Sequence, residues 1–526
     1  MSTAAVHPAA HAPNKPKGIS HWLRTTDHKE IGIMYLVTSF LFFLVGGLFA
    51  LGVRGQLLTP EMKLLSPDLY NQFLTMHASA MIFLFIMPSL GGFGNYAVPL
   101  MIGAKDMAFP RINNLAFWLV PFGALIMMSS FLFGTSAASG WTSYPPLANA
   151  SYSPGRGVDL WILTVHVLGA SSIMGALNFV VTILNMRAPG MSLFKMPLFV
   201  WTWLVTAMMQ ITATPVLAGV ITMLLTDRNF GTNFFAAAKG GDNVLFQHLF
   251  WFYSHPAVYI MILPAFGIIS EIIPTFSKKP LFGYHAMAWS TIAIGFLGYI
   301  VWGHHMFSTG ISATLRTYFM IATMFIAVPT GVKIFSWVMT MWGGVLEFKV
   351  PMLFAVAFVG FFLIGGLSGI YCASLPFDLF IHDTYFVVAH IHYVLFAGSV
   401  MGILGGIYYW YPKMTGRMMD EGLGQIHFWL TLIAMNVTFF PMHFLGLMGM
   451  PRRIFTYNVM YSQWNMVCTI GAFVLGLSQL IFVYNVIQSR KHGAVAGNNP
   501  WGGKTLEWTT TSPPPGHNFD TIPVID

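Results

Sequence analysis

Eight histidines lie in or at the ends of long apolar runs: His77, His166, His248, His255, His304, His305, His390 and His392. An ionisable side chain inside an apolar run is expensive and reads first as a functional group. A single one, His166 or His248 for instance, could be a hydrogen-bonded core residue; eight together need a common cause. Their spacing narrows it. His390 and His392 are two apart and point roughly 200° from each other on a helix, so they suit different groups on opposite faces. His304 and His305 are ~100° apart, and at a loosened helix end both can reach one ion. His255 and Tyr259 are four apart, one above the other on one face. Imidazole suits copper and iron. A haem held on both axial sides takes two histidines, a haem with an open position one, and a copper ion three. His77, His255, His304, His305, His390 and His392 supply that number, and spacing alone leaves the partition open. No Cys-x-x-Cys-His occurs, which excludes covalently attached c-type haem.

Membrane-spanning helices must position these side chains. Only 8% of the 526 residues are charged, while 56% are hydrophobic and 16% aromatic. A soluble domain carries roughly 25% charge. This rules out a soluble enzyme, a disordered chain and a nucleic-acid binder. With only Cys372 and Cys468, it is no disulfide scaffold either. A crossing needs ~20 apolar residues. Twelve stretches qualify, at about 30–53, 70–103, 114–135, 158–186, 194–226, 244–274, 281–303, 318–343, 350–372, 380–411, 425–448 and 462–488. They are too long, and alternate too little, for barrel strands. The expected fold is all-α, a polytopic bundle of twelve transmembrane helices over 29–488. A segment 1–28, with no apolar core and so not read as a signal peptide, precedes it. A Pro-rich tail, 489–526, follows.

An even number of spans puts both ends on one side. That face carries sixteen Lys and Arg near the span ends and the other face eight, so both termini are expected in the cytoplasm. The net charge of +8 is then mostly topology. The tail favours a bacterial plasma membrane over a mitochondrion. Of the 25 basic residues only Lys333 lies deep within an expected span, with no evident partner in the sequence.

Blocks along nearly the whole chain resemble subunit I of the haem–copper oxygen reductases, and within them the cytochrome c oxidases. They are Thr75-Met76-His77, Gly91 to Asn95, Asp106 to Arg111, Trp251 to Tyr259, Trp302 to Phe307, Pro329 to Lys333, His382 to His392 and Gly449 to Arg453. The resemblance implies that His77 and His392 are the axial ligands of a low-spin haem a and His390 the proximal ligand of a high-spin haem a3. It makes His255, His304 and His305 the ligands of copper B. It further implies a covalent link between His255 and Tyr259, whose phenol gives an electron and a proton as dioxygen is cleaved. The implied reaction reduces dioxygen to water with electrons from cytochrome c and protons from the cytoplasm, and pumps further protons. Arg452 and Arg453 then hold haem propionates, a task for charge-assisted bidentate bonds, with Trp141 and Asp378 close by. Arg54 meets the haem a formyl group, and His382 with Asp383 forms a magnesium or manganese site completed by subunit II. The CuA centre needs paired cysteines that this chain lacks, so subunit II carries it; subunit III and further oxidase subunits are expected beside it, within membrane lipid.

Two proton routes follow from the same resemblance. Lys333, Thr330, Ser270 and Tyr259 match a lysine pathway. Asp106, Asn95, Asn113, Ser171, Ser172 and Asn178 match a second uptake path, which in the family ends on a glutamate two residues after the histidine matching His255. Here that residue is Ala257, and a methyl group relays no proton. Tyr253 lies one helical turn before it on the same face, and Ser254 can extend the chain. A subgroup with Tyr-Ser before His-Pro shares this pattern.

Three rivals are weaker. Nitric oxide reductases share the six-histidine plan but use a non-haem iron with an extra glutamate and lack the tyrosine; Tyr259, Lys333 and the missing glutamate favour oxygen. Quinol oxidases place a quinol-binding Arg and Asp where this chain has Val45 and Phe49, and only Gln72 matches. A metal-free proton-coupled transporter suits twelve spans but leaves the histidine spacing unexplained. The haem type is not fixed apart from the family.

Overall fold

Helix starts follow from side chains that accept a backbone N–H in the first turn, which the unmet donors there require. Asp27 accepts from Lys29, Ser66 from Leu69 ahead of Pro67, Asp242 from Val244, Ser312 from Leu315, and Thr384 from Phe386. The computed structural model describes residues 18–525, so most of the segment expected at 1–28 lies outside the described residues. Eleven helices among them are long and apolar enough to cross a membrane. They are α1 (His28–Gln56), α2 (Pro67–Ile102), α3 (Pro110–Phe133), α4 (Gly157–Asn185), α5 (Leu198–Asn229), α6 (Asn243–Ser277), α8 (Ala313–Met341), α9 (Val350–Ala373), α10 (Tyr385–Thr415), α11 (Glu421–Leu447) and α12 (Val459–His492).

The twelfth, expected over 281–303, is α7 (Tyr284–Leu297), only 14 residues long. At 1.5 Å per residue it covers ~21 Å of a ~30 Å hydrocarbon core. The remainder of the apolar run leaves the helix and closes into a 3₁₀ turn, Trp302–Met306, that carries His304 and His305. Two more irregularities mark histidines. A π-helical segment, Ala80–Ile86, interrupts α2 just after His77, and another, Leu395–Val400, interrupts α10 just after His392. Such segments cluster at functional sites.

Sequence neighbours are packing partners: α1 with α2, α3 with α4, α4 with α5, α5 with α6, and α11 with α12. The inward faces form one continuous aromatic and aliphatic core, while Leu125, Leu132, Phe296 and Ile433 are exposed. So large an apolar exterior is stable in lipid and a liability in water. The chain is a multi-pass membrane protein.

The C-terminal tail is docked against one end of the bundle. Asn518 is fully buried, in the left-handed region at φ 69°, which Asn tolerates better than most residues. Its Oδ1 accepts from Lys29 Nζ (2.9 Å), its Nδ2 donates to the Ala104 carbonyl (2.7 Å), and the same amide lies 2.8 Å from His28 Nε2. Further on, the Ile525 N–H donates to Pro189. Asn518→Ala removes these bonds at once. Hydrogen–deuterium exchange of residues 512–525 should then rise by about tenfold or more, with exchange in α6 unchanged.

Candidate metal centre

All six histidines singled out by number converge on one cavity of about 1750 Å³. A pocket for one drug-sized ligand measures ~300–1,000 Å³, so this one has room for more than one large group. His77 comes from α2, His255 from α6, His390 and His392 from α10, and His304 and His305 from the turn after α7. His166 and His248 do not line it. His166 bonds Ile162 and Thr222, and His248 accepts from the Trp302 indole. They are hydrogen-bonded helix histidines, the plainer of the two readings.

The rings of His77 and His392 are parallel within 7°, with centroids 6.4 Å apart. That is too far for ring contact and leaves space for one ion between them. Each Nδ1 is held by a backbone carbonyl, Gly46 at 2.9 Å and Val388 at 2.7 Å, and neither Nε2 has a partner among the described residues. A metal-ligating imidazole takes this arrangement, one nitrogen fixed by a carbonyl so that the other faces the metal. His390 repeats it, with Nδ1 3.0 Å from the Gly365 carbonyl and from Ser368 Oγ. Gly369 makes room for this ring, since a Cβ there would sit 3.1 Å from His390 Cε1.

His255, His304 and His305 bring one ligand atom each within 4.8 Å of one another, the one such group of three among the described residues. Bonds of ~2.0–2.1 Å to imidazole nitrogen put a single ion within reach of all three. His304 is steered by Thr323 Oγ1 (3.0 Å), and His305 lies flat on Trp251 at a centroid distance of 3.7 Å. The Trp251 indole in turn donates to the Tyr144 hydroxyl. His255 Nδ1 lies 3.2 Å from His305 Nε2, whereas its own Nε2 is buried without a partner. The Tyr259 ring stands 4.7 Å from His255.

Arg54 is 6% exposed. Its Nη2 donates to Asn465 and Thr469, while Nε and Nη1 are buried and unmet on the cavity wall. A buried unmet donor costs ~1–3 kcal/mol, more when charged, so the guanidinium fits a polar acceptor on a bound group. The donor set and the cavity therefore fit haem and copper.

Arg452 and Arg453 also line the cavity, with Trp141 and Asp378. Arg452 Nε reaches Asp383 Oδ1 at 2.7 Å, a partner its sequence position did not announce. The Arg452 N–H donates to the Asp383 carbonyl at 2.8 Å, and both Asp383 and Arg453 have positive φ (56° and 62°). His382 pairs with Asp378 at 2.9 Å. Burial opposes the His382 imidazolium, but the carboxylates of Asp378 and Asp383 outweigh it and raise its pKa. Burial likewise opposes Asp383, and Arg452 overcomes it, holding that carboxyl below its usual range.

On the lysine side, Lys333 is not alone. Its Nζ bonds Thr291 Oγ1 and the Met287 carbonyl on α7 and lies over the Phe266 ring. Thr330 lines the main cavity with Tyr259, whereas Ser270 Oγ is occupied by the Trp337 indole. On the other side, burial lifts the Asp106 carboxyl to about 6, against a bond from the Met107 N–H. Asn178 brackets the Phe109 peptide beside it. Asn95, Ser171 and Ser172 meet at a second cavity of about 50 Å³, where Tyr35 and Gln210 join them unannounced by any motif. Asn95 Oδ1, Asn113 Nδ2 and Ser254 Oγ are buried without protein partners. Tyr253 is buried, its hydroxyl has no hydrogen-bond partner among the described residues, and it lines neither cavity.

The chain is similar over nearly its full length to proteins named cytochrome c oxidase subunit 1. The protein of Synechocystis sp. is 54% identical, covering 100% of this chain and 95% of its own length. That of Thermostichus vulcanus is 53% identical (98% and 93%), and that of Cereibacter sphaeroides 47% (99% and 98%). Among solved structures, a heme-copper terminal oxidase dimer determined by cryo-EM shares the fold at a TM-score of 0.73 and 19% identity, over 90% of this chain and 85% of its own. A sequence model of one family matches residues 30–474, and with it the chain belongs to the family Cytochrome C and Quinol oxidase polypeptide I.

Proposed function

We propose that this chain is the catalytic subunit of a respiratory terminal oxidase, reducing dioxygen to water with electrons from cytochrome c. The observation that carries the reading is six imidazoles on one cavity, sorted into a parallel pair, a single ring and a cluster of three. When bound, the two haems and copper supply the electron transfer and the dioxygen chemistry. His77 and His392 hold the low-spin haem a, His390 the high-spin haem a3, and His255, His304 and His305 copper B. Arg54 offers its unmet Nε and Nη1 to the haem a periphery. Tyr259 stands beside the copper ligands, and the unmet Nε2 of His255 supports a covalent bond to that ring. Its phenol then gives a proton and an electron to the oxygen under reduction.

On this reading subunit II carries CuA and completes a magnesium or manganese site with His382 and Asp383, and subunit III and further subunits pack beside it. The excess of Lys and Arg on one face supports cytoplasmic termini in a bacterial plasma membrane. Quinol is disfavoured as donor, because Gln72 spends its amide on Asp68 and the Ser136 N–H. Protons enter past Asp106 toward Tyr253 and Ser254, and past Lys333 toward Tyr259 through Thr330.

Two variants test the reading. His304→Gln should lower the copper content of the oxidase by one ion, leaving the CuA copper of subunit II, and abolish oxygen consumption while the low-spin absorbance held by His77 and His392 persists; a copper content equal to that of the unmodified oxidase overturns the ligand set. Tyr253→Phe should slow turnover about tenfold or more with both haem spectra intact, the phenol lying one helical turn before Ala257 in place of the missing carboxyl. Normal proton pumping in that variant refutes the role of Tyr253.

A further inference from the structure

Lys333 is an ammonium with no exposed surface, and among the described residues it forms no ion pair. A buried cation is tolerated only where its N–H groups are met. Here one hydroxyl and one carbonyl meet them. Thr291 Oγ1 lies 2.7 Å from Nζ and the Met287 carbonyl 3.1 Å away. The Thr291 hydroxyl donates to the same Met287 carbonyl at 2.8 Å, which turns its oxygen lone pair toward the ammonium. Thr291 is itself fully buried. The Phe266 face, 5.7 Å from Nζ, adds a weaker contact.

The position matters as much as the bond. Thr330 and Tyr259 line the main cavity and Lys333 does not. The ammonium is therefore seated on α7, beside the passage that the proton route needs it to serve. Of its two polar partners, the Met287 carbonyl belongs to the helix backbone in any sequence. The Thr291 hydroxyl is the one a side chain provides.

We propose that Thr291 is a positioning residue of the lysine route: its hydroxyl seats the Lys333 ammonium on α7 and sets how readily a proton loads there. This rests on the reading of Lys333 as a proton carrier, and three variants of the intact oxidase separate the two. Thr291→Val keeps the shape and removes the oxygen. It should lower maximal turnover about tenfold, the scale of one hydrogen bond to a charged group. The apparent KM for reduced cytochrome c, both haem spectra and the copper content should stay unchanged. Thr291→Ser should restore turnover to within about twofold. Thr291→Ala replaces Val in the comparison if the larger side chain disturbs haem insertion. Lys333→Met, assayed alongside, should be slow. Thr291→Val at full speed beside a slow Lys333→Met overturns the role of Thr291 and leaves the route standing, and equally slow Val and Ser variants overturn it as well. Lys333→Met at full speed overturns the route itself.

Discussion

An imidazole in a low-dielectric bundle has two ring nitrogens to satisfy, and each left unmet costs ~1–3 kcal/mol. The centre depends on how this chain meets one nitrogen and withholds the other. Backbone carbonyls take Nδ1 of His77, His392 and His390, and Thr323 takes Nδ1 of His304. Two of those carbonyls belong to other helices: Gly46 is on α1 and Gly365 on α9. The direction of each free nitrogen is thus set by helix packing, and the helices must stand at a fixed distance for the ring to be held at all. Gly369 serves the same end, since a Cβ there would crowd the His390 ring at 3.1 Å and push it or α9 aside.

The demand on packing explains why the helices are irregular where the histidines sit. A regular helix would continue α7 through 303. Ending it at Leu297 lets two adjacent histidines face one point, which a continuing helix at ~100° per residue does not allow. Pro256, directly after His255, removes one backbone N–H from the α6 ladder beside that ring. The π segments after His77 and His392 shift register just beyond the two rings that must be parallel. The sequence reading placed the other eleven crossings within a few residues of their ends, because apolar length and cap residues are local signals. It overran α7 because Tyr299, Ile300 and Val301 are as apolar off the helix as on it. Hydropathy reports the surroundings of a side chain and is silent on backbone hydrogen bonding.

The same division separates what was legible at the site from what was not. Six histidines stood out because ionisable residues are scarce in these spans, and their separation from His166 and His248 needed only the cavity. Thr291 carried no such signal. It is a small polar residue in an apolar run, and its partner is 42 residues away. Gln210 and Tyr35 are hidden in the same way, and the Asp383–Arg452 pair joins residues 69 apart. Asn518 sits in a stretch whose Pro-rich composition reads as a free tail, although its amide is one of the most fully used in the chain. Contacts of this kind are made by topology, and no local spacing encodes them.

The two polar routes also differ in kind, and the difference lies in which atoms are left unmet. Asn95 Oδ1, on the wall of the smaller cavity, has no partner among the described residues, and neither do the buried Asn113 Nδ2 and Ser254 Oγ. Polar atoms in that condition are normally met by water, and a space of about 50 Å³ admits it. A proton route of the proposed kind would run along hydrogen bonds to such water while its side chains stay where they are. Lys333 is the opposite case: the protein meets its ammonium on α7, away from the cavity where Thr330 and Tyr259 stand. On the proposed reading, the bonds the fold makes to Lys333, and not water, place the ammonium where a proton loads.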